Sequence, residues 1–408
     1  MKIGFLGNAN NYPFLVARSI RELGHEVIFV VDSTSILNRP EGRYKEIALP
    51  YPSWVVDCSP LSLWDYPPKE SEKVEKVVRI LKDCDALVLN EFGLSLWGRI
   101  QKPAFAFLTG TDLEILADPK YVDKAAGTMD ESIDWLRKIR LWRHRSNQRK
   151  RRNHFLHLVK EQRNAISHSV GVRYFPKGML PNADRILDDL GVDEKRRVFF
   201  LPAEIERYGY APYPDNRMLR LFNVARLQWR KPSSDLICEL DYKGTDVLIR
   251  GLGLFVRQNK IPVEIRLVKK GVDLDITREL IEVEGIASNV TWLEEMDQNS
   301  LYDEYKNADI VFEHFGKGSI GMGAVDAMAV GRPVIANGSP EIFRTALGEG
   351  TPVCHATTPE EVRIQLLRLA ADRDLRESIG KQSRLYVERY CTPELAAKII
   401  LEKFEHAE

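Results

Sequence analysis

Residues 308–337, ADIVFEHFGKGSIGMGAVDAMAVGRPVIAN, hold the densest set of residues suited to chemistry. An apolar run gives way to glycines at 316, 318, 321 and 323, then to a helical pattern, Gly331 and a second apolar run. Glycines after a strand and before a helix let backbone amides approach a phosphate, whose charge the helix N-terminus favours. The spacing predicts a phosphate cradle. Gly316, Gly318 and Gly321 also match the dinucleotide G-x-G-x-x-G spacing, but Asn337 stands where an acid is expected about twenty positions on. Asp326 lies one and a half turns into the helix, five residues past Gly321, where its carboxylate can accept from a ligand hydroxyl. The alternative is an ordinary early acid that complements the helix dipole.

Residues 135–152, WLRKIRLWRHRSNQRKRR, carry nine Lys or Arg, two tryptophans and no acid. Trp135, Ile139 and Trp142 recur at helical spacing, so one face is apolar and ringed by cations. That composition suits an interfacial helix on anionic lipid, and equally a solvated helix packed by its apolar stripe. Nucleic acid is disfavoured, because 59 Lys plus Arg balance 59 Asp plus Glu and no stacking-sheet motif is present. Asp273-Leu274-Asp275 has metal-motif spacing, but it precedes a helix after a strand, where N-capping explains it better. Cys58, Cys84, Cys238, Cys354 and Cys391 are scattered without a CxxC pair or His partners at zinc spacing, and read as reduced thiols.

The elements that must position these residues alternate. KIGFL (2–6), a helix over 13–23 and VIFVV (27–31) form a β-α-β unit, followed by a helix over 71–83, ALVLN (86–90) and AFAFL (104–108). A proline-rich, aromatic crossing over 198–214 leads to a second series. It runs LFNVARL (221–227), a helix over 246–258, EIRLV (264–268), a helix over 276–284, VTWL (290–293) and a helix over 299–307. DIVFEHF (309–315), a helix over 322–330 and PVIAN (333–337) complete the core, and helices over 359–371, 373–389 and 393–405 end the chain. Two such series predict two doubly wound parallel-sheet domains facing a cleft, with ligands beyond the carboxyl ends of the strands.

At 408 residues, 44% hydrophobic and 29% charged, the chain is long enough for two cores and far from the composition of disorder. The N-terminus has neither signal-peptide nor transit-peptide character, and no apolar run reaches the roughly 18 residues that span a bilayer. The expected location is cytoplasmic, with peripheral attachment to the inner membrane face through 135–152.

ADIVFE followed by GSIGMGAVDAMAVGRPVIA resembles the donor-binding signature of the family 4 retaining glycosyltransferases (glycosyl transferases group 1), which have the GT-B architecture and use nucleotide-diphosphate sugars. The resemblance implies α/β architecture with two Rossmann-like domains. Residues 1–205 would bind the acceptor and 215–389 the donor, with the last helix, about 390–408, packing back on the first domain. It gives Asp326 the ribose hydroxyls and puts the family's first, sugar-holding glutamate at Gly318, leaving Glu313 or His314 upstream to take that role. Gly318, Ser319, Ile320, Gly321 and Met322 form the donor turn. NVARL (223–227) and YKGTDVLI (242–249) resemble the elements that carry the diphosphate cations, which makes Arg226 and Lys243 catalytic, with Lys231 an alternative to Lys243. Glu294, in NVTWLEEMD, falls where the nucleotide base rests, and Glu341, in GSPEIF, is either a ligand or a helix N-terminal acid. LTGTDLE (108–114) resembles the family's His-Gly-x-Asp turn with Thr109 in place of the histidine, so Thr109 and Asp112, with Asn10 and Asn11, face the acceptor side. The implied activity is retaining transfer from a nucleotide-diphosphate sugar to a saccharide or lipid-linked acceptor, in cell-surface polysaccharide or glycoconjugate synthesis, without a bound metal or other cofactor. Two rivals share this architecture, a nucleotide-sugar epimerase and a non-catalytic nucleotide-sugar binder.

Overall fold

The computed structural model describes residues 1–44, 46–68, 71–123, 141–230, 241–318 and 320–406, with backbone alone over 141–148. The first sheet contains β1 (Lys2–Leu6), β2 (Glu26–Val31), β3 (Val55–Asp57), β4 (Ala86–Leu89), β5 (Ala104–Phe107), β6 (Gly171–Arg173) and β7 (Arg197–Val198). Their order is β3-β2-β1-β4-β5-β6-β7, every pair parallel, with Ile3 opposite both Val27 and Ala86. The second sheet contains β8 (Leu219–Asn223), β9 (Val263–Val268), β10 (Val290–Leu293), β11 (Ile310–Phe312), β12 (Val334–Ala336) and β13 (Cys354–His355), ordered β10-β9-β8-β11-β12-β13 and again parallel. Helices on both faces bury these strands, which is why the central ones read as unbroken apolar runs rather than alternating ones.

Strand order reverses between β1 and β4 in one sheet and between β8 and β11 in the other. Ligands of open α/β sheets bind at such points, beyond the carboxyl ends of the strands. The residues placed there are Gly7 to Asn11 with Asn90 and Glu91 in the first domain, and Val224 to Gln228 with Glu313 to Phe315 in the second.

Two expected strands are shorter in the structure for one reason. LFNVARL leaves the sheet after Asn223, because Leu227 turns to donate to the Lys270 carbonyl (2.7 Å) and accept from the Asp273 amide (3.1 Å). DIVFEHF leaves after Phe312, and its next three residues bond to other loops instead. The crossing begins one residue later than expected, since Val198 pairs in β7.

The crossing is fastened to the second domain by Arg332, whose fully buried guanidinium donates to the carbonyls of Tyr305, Lys306, Ala211, Pro212 and Gly331 at 2.8–3.2 Å. The last helix, Pro393–Glu405, returns to the first domain, where Ala396, Ala397, Ile400 and Phe404 share a core with Phe14, Val16 and Phe105. A 28-residue helix, Leu141–His168, includes the second half of the basic segment. Trp135 and Ile139 lie outside the described residues, and Trp142 is described in backbone only. Four cysteines are free and buried, and Cys238 lies outside the described residues. No helix among the described residues is long and apolar enough to cross a membrane.

Candidate active site

In the second domain, three loops meet at the carboxyl edge of the sheet. Gly244, at φ +66°, lies so near the third loop that a Cβ would sit 2.8 Å from the Phe315 carbonyl carbon; one on Gly316 would sit 2.1 Å from the Tyr242 oxygen. Only glycine permits that approach from both sides. The Phe315 amide donates to the Lys243 carbonyl (2.9 Å), and the Lys243 amide to the Gln228 carbonyl (2.8 Å). The Gln228 amide donates to Thr245 Oγ1 (3.2 Å). Arg226, Lys243 and Glu313 are thereby carried on cross-braced neighbouring loops. Arg226 is exposed and 3.4 Å from Asp241.

Glu313 is buried, and its Oε2 accepts from the Gly321 amide at 2.7 Å. It caps the helix Met322–Ala329, so one amide of the expected phosphate cradle already has a carboxylate partner. The first-turn amides of Met322 and Gly323 are those a helix leaves without an internal acceptor. Gly318 has φ +103°, and its carbonyl is approached by Ser339 Oγ at 3.4 Å. Ile320 is buried beneath the turn, while Ser319 and the alternative cation Lys231 lie outside the described residues. His314 is a bracket between loops: it is buried, and its Nε2 donates to the Tyr242 carbonyl at 2.8 Å. Asn337, at the position of the missing dinucleotide acid, donates to the Gly316 carbonyl (2.8 Å) and so braces the loop.

Asp326 is 91% buried, with 9% of its surface exposed, and its Oδ1 has no hydrogen-bond partner. Burial pushes its carboxyl up to about 7, against the pull of Arg43, Tyr208 and Arg207. Sequence reasoning did not find these companions, nor Tyr12, which reaches from the first domain toward Asp326 and Glu313 and is itself pushed up to about 12 by burial. No spacing in the chain links residues 12, 43, 208 and 326; the fold alone assembles them.

Other expected residues have structural partners. Asp273 sits at a helix N-cap position but caps a different loop, accepting from the Trp229 (2.7 Å) and Arg230 (2.8 Å) amides, while Asp275 pairs with Arg278. Glu294 is exposed and paired with Lys269, and Glu341 is paired with Arg344.

In the first domain, Asn90 organises the edge. Its Oδ1 accepts from the Ala9 amide (2.9 Å), and its Nδ2 donates to the Phe107 carbonyl (2.7 Å) and Asp112 Oδ2 (3.0 Å). Asp112 is 1% exposed and accepts from the amides of Thr109, Gly110 and Leu113 as well. It builds the turn rather than meeting an acceptor. The same correction holds for Asn11, whose buried amide donates to the Leu37 (2.9 Å) and Arg39 (3.1 Å) carbonyls and accepts from Asn8 (2.8 Å). Asn10 is exposed, and Thr109 partly so.

A family model described as "Glycosyl transferases group 1" matches residues 240–386. No curated protein matches the chain by sequence. Among solved structures, Anabaena HepE in complex with UDP and glucose is 15% identical over 100% of both chains, with a TM-score of 0.63. Sucrose-phosphate synthase from Thermosynechococcus elongatus is 14% identical over 100% of both, at 0.60. WaaG, a glycosyltransferase involved in lipopolysaccharide biosynthesis, is 15% identical over 98% of this chain and 99% of its own, at 0.54. Likeness along the whole length, with two parallel sheets in the orders given above, establishes that this chain has the GT-B fold.

Proposed function

We propose that the protein is a retaining glycosyltransferase of family 4. It moves a hexose from a nucleotide-diphosphate sugar held by the second domain to a saccharide or lipid-linked acceptor held by the first, in cell-surface polysaccharide or glycoconjugate synthesis. The observation that carries this reading is the cross-braced meeting of the Arg226, Lys243 and Glu313 loops at the switch point of the second sheet, the latter two inside the segment 240–386 that matches the group 1 model. A departing nucleoside diphosphate gathers negative charge, and fixed cations there stabilise it most in the transition state. Arg226 and Lys243 supply that charge, so transfer needs no bound metal. The 318–323 turn holds the phosphates, Asp326 takes the ribose hydroxyls through its unpartnered Oδ1, and Glu313 shapes the turn from behind.

A thermal-shift panel of nucleoside diphosphates and their sugars, with and without EDTA, tests the donor site. A ligand that binds the native state at 100 times its Kd adds about 2.7 kcal/mol of stability. UDP, present in the HepE structure, is the first nucleotide to try. The expected result is a selective rise with one diphosphate and its sugars, unchanged by EDTA. No shift across the panel at millimolar ligand overturns the reading.

The basic, aromatic segment 135–152 fits an anionic membrane surface beside a lipid-linked acceptor. Co-sedimentation with vesicles is expected to be strong for anionic and weak for neutral lipid, and to fall with salt. Equal binding to both, or none at low salt, removes the membrane from the proposal.

A further inference from the structure

We infer that the cavity beside the two chain crossings between the domains binds an aliphatic polyamine, with ammonium groups on its rim carboxylates and methylenes on its apolar walls. The inference goes beyond the glycosyltransferase reading and does not depend on it. The cavity has a volume of about 340 Å³, within the roughly 300–1,000 Å³ of small-molecule sites. Its walls are one face of the helix Tyr12–Glu22, the loop around Tyr44, the first crossing at 203–207 and the return at 392–394. The crossings run side by side there, since the Ala203 amide donates to the Cys391 carbonyl at 2.9 Å. None of these walls belongs to the donor loops.

The arginines of the cavity are already matched. Arg43 and Arg207 both meet Glu204, at 2.7 and 3.3 Å, and Arg18 meets Glu46 at 3.0 Å, so an anion would have to break an ion pair to enter. Glu22, Glu206 and Glu394 also line the cavity, are exposed, and make no hydrogen bond or ion pair among the described residues. Five acids against three arginines leave the cavity negative. Glu22 ends its helix, where the dipole adds to that sign. Between the charges lie Leu15, Ala203, Ile205 and Pro393, an apolar surface of the kind that aliphatic stems of cations cover. No group of three His, Cys, Asp or Glu among the described residues could hold a metal ion, so the match is to a chain with separated charges rather than to a compact divalent ion.

Tyr44 points to a cation independently of the acids. It is 2% exposed, it forms part of the cavity wall, and its hydroxyl has no hydrogen-bond partner. The charged groups that act on that hydroxyl are Glu204, Arg43, Arg18 and Arg207, all walls of the same cavity, so the phenol ends among the cavity's charges. A phenol oxygen without a partner can accept from an ammonium N–H. The ring face already takes a cation, because the Arg18 guanidinium lies over it at 4.8 Å.

Calorimetric titration of the full-length protein at fixed ionic strength tests this. The ligands are spermidine and putrescine, set against the monoamine n-butylamine, magnesium ion and the dianion succinate. At least one of the two polyamines should bind with one-to-one stoichiometry, at least tenfold more tightly than butylamine, magnesium or succinate. Affinity should fall at least fivefold in the double variant Glu22→Gln/Glu206→Gln and about threefold in Tyr44→Phe. The two glutamates are exposed and unpaired, and the tyrosine loses only a hydroxyl that bonds to nothing in the protein, so both variants should melt close to wild type. No polyamine binding at millimolar ligand, magnesium or succinate binding as tightly as the polyamines, or equal affinities in wild type and both variants (cations gathered elsewhere on the surface) overturn the inference. UDP plays no part in the titration, so its outcome and that of the nucleotide panel are read separately.

Discussion

Lys243→Ala is expected to lower kcat by 10- to 1,000-fold while donor KM changes less. Removing one preorganised donor to developing negative charge costs about 10²–10³ in rate, or about 2.7–4 kcal/mol. The proposed leaving group is a diphosphate whose charge grows as the sugar departs, so the cation contributes more in the transition state than in the bound donor. Lys243 is well placed for this because its backbone is held on both sides, by the Gln228 carbonyl and the Phe315 amide, which limits the reorganisation needed at the moment of transfer. Arg226 is exposed beside Asp241, where solvent screens it, so Arg226→Ala is expected nearer the tenfold end. Neither substitution removes a buried group, and both variants should melt close to wild type. Nucleotide release from the donor found by thermal shift gives the rates, and unchanged turnover in both variants refutes the assignment of the cations.

The sequence exposed the alternation of elements, because long apolar runs between glycines leave few options for a strand buried on both faces. VTWL (290–293) is β10 to the residue. It did not expose the two-residue strands β7 and β13, which hold too few positions for any period to show. The meeting of two loops at the edge of the second sheet left a trace in the sequence, because glycines 244 and 316 mark places where backbones nearly touch. The polar residues of the first domain misled. Asn11 and Asp112 look like ligand contacts because they are polar residues in loops after strands, yet burial and saturated hydrogen bonding make them turn builders. Asp273 misled similarly, since a helix start predicts a local cap and the carboxylate instead caps the loop that approaches it over Gly271.

Asp326 should make both stability and nucleotide affinity depend on pH, with signs that follow from its burial. Its carboxyl is raised from the ordinary 3.8 to about 7, so between those values the native state holds a proton that the unfolded chain has released. Stability from this group is therefore fully present below about pH 4 and is lost as pH rises toward 7. At about 1.4 kcal/mol per pH unit the loss reaches ~4 kcal/mol if nothing relaxes. Asp326→Asn removes the titration, so its unfolding free energy relative to wild type should climb between pH 4 and 7 and level off above. The groups around the carboxyl set how much survives: Arg43, Arg207 and the Tyr208 hydroxyl favour the anion, and Glu204 opposes it. Arg43 is itself tied to Glu204 at 2.7 Å, which blunts its pull on Asp326. Ribose hydroxyls that donate to the unpartnered Oδ1 favour the charged form, so by linkage the nucleotide should bind more tightly at pH 8 than at pH 6. Calorimetric titration with the diphosphate from the thermal-shift panel, in wild type and Asp326→Asn, reads this directly. A wild-type affinity that is flat across pH 6–8, or a slope that persists in Asp326→Asn, would show that the carboxyl does not meet the ribose and that the pH-dependent stability belongs to packing alone.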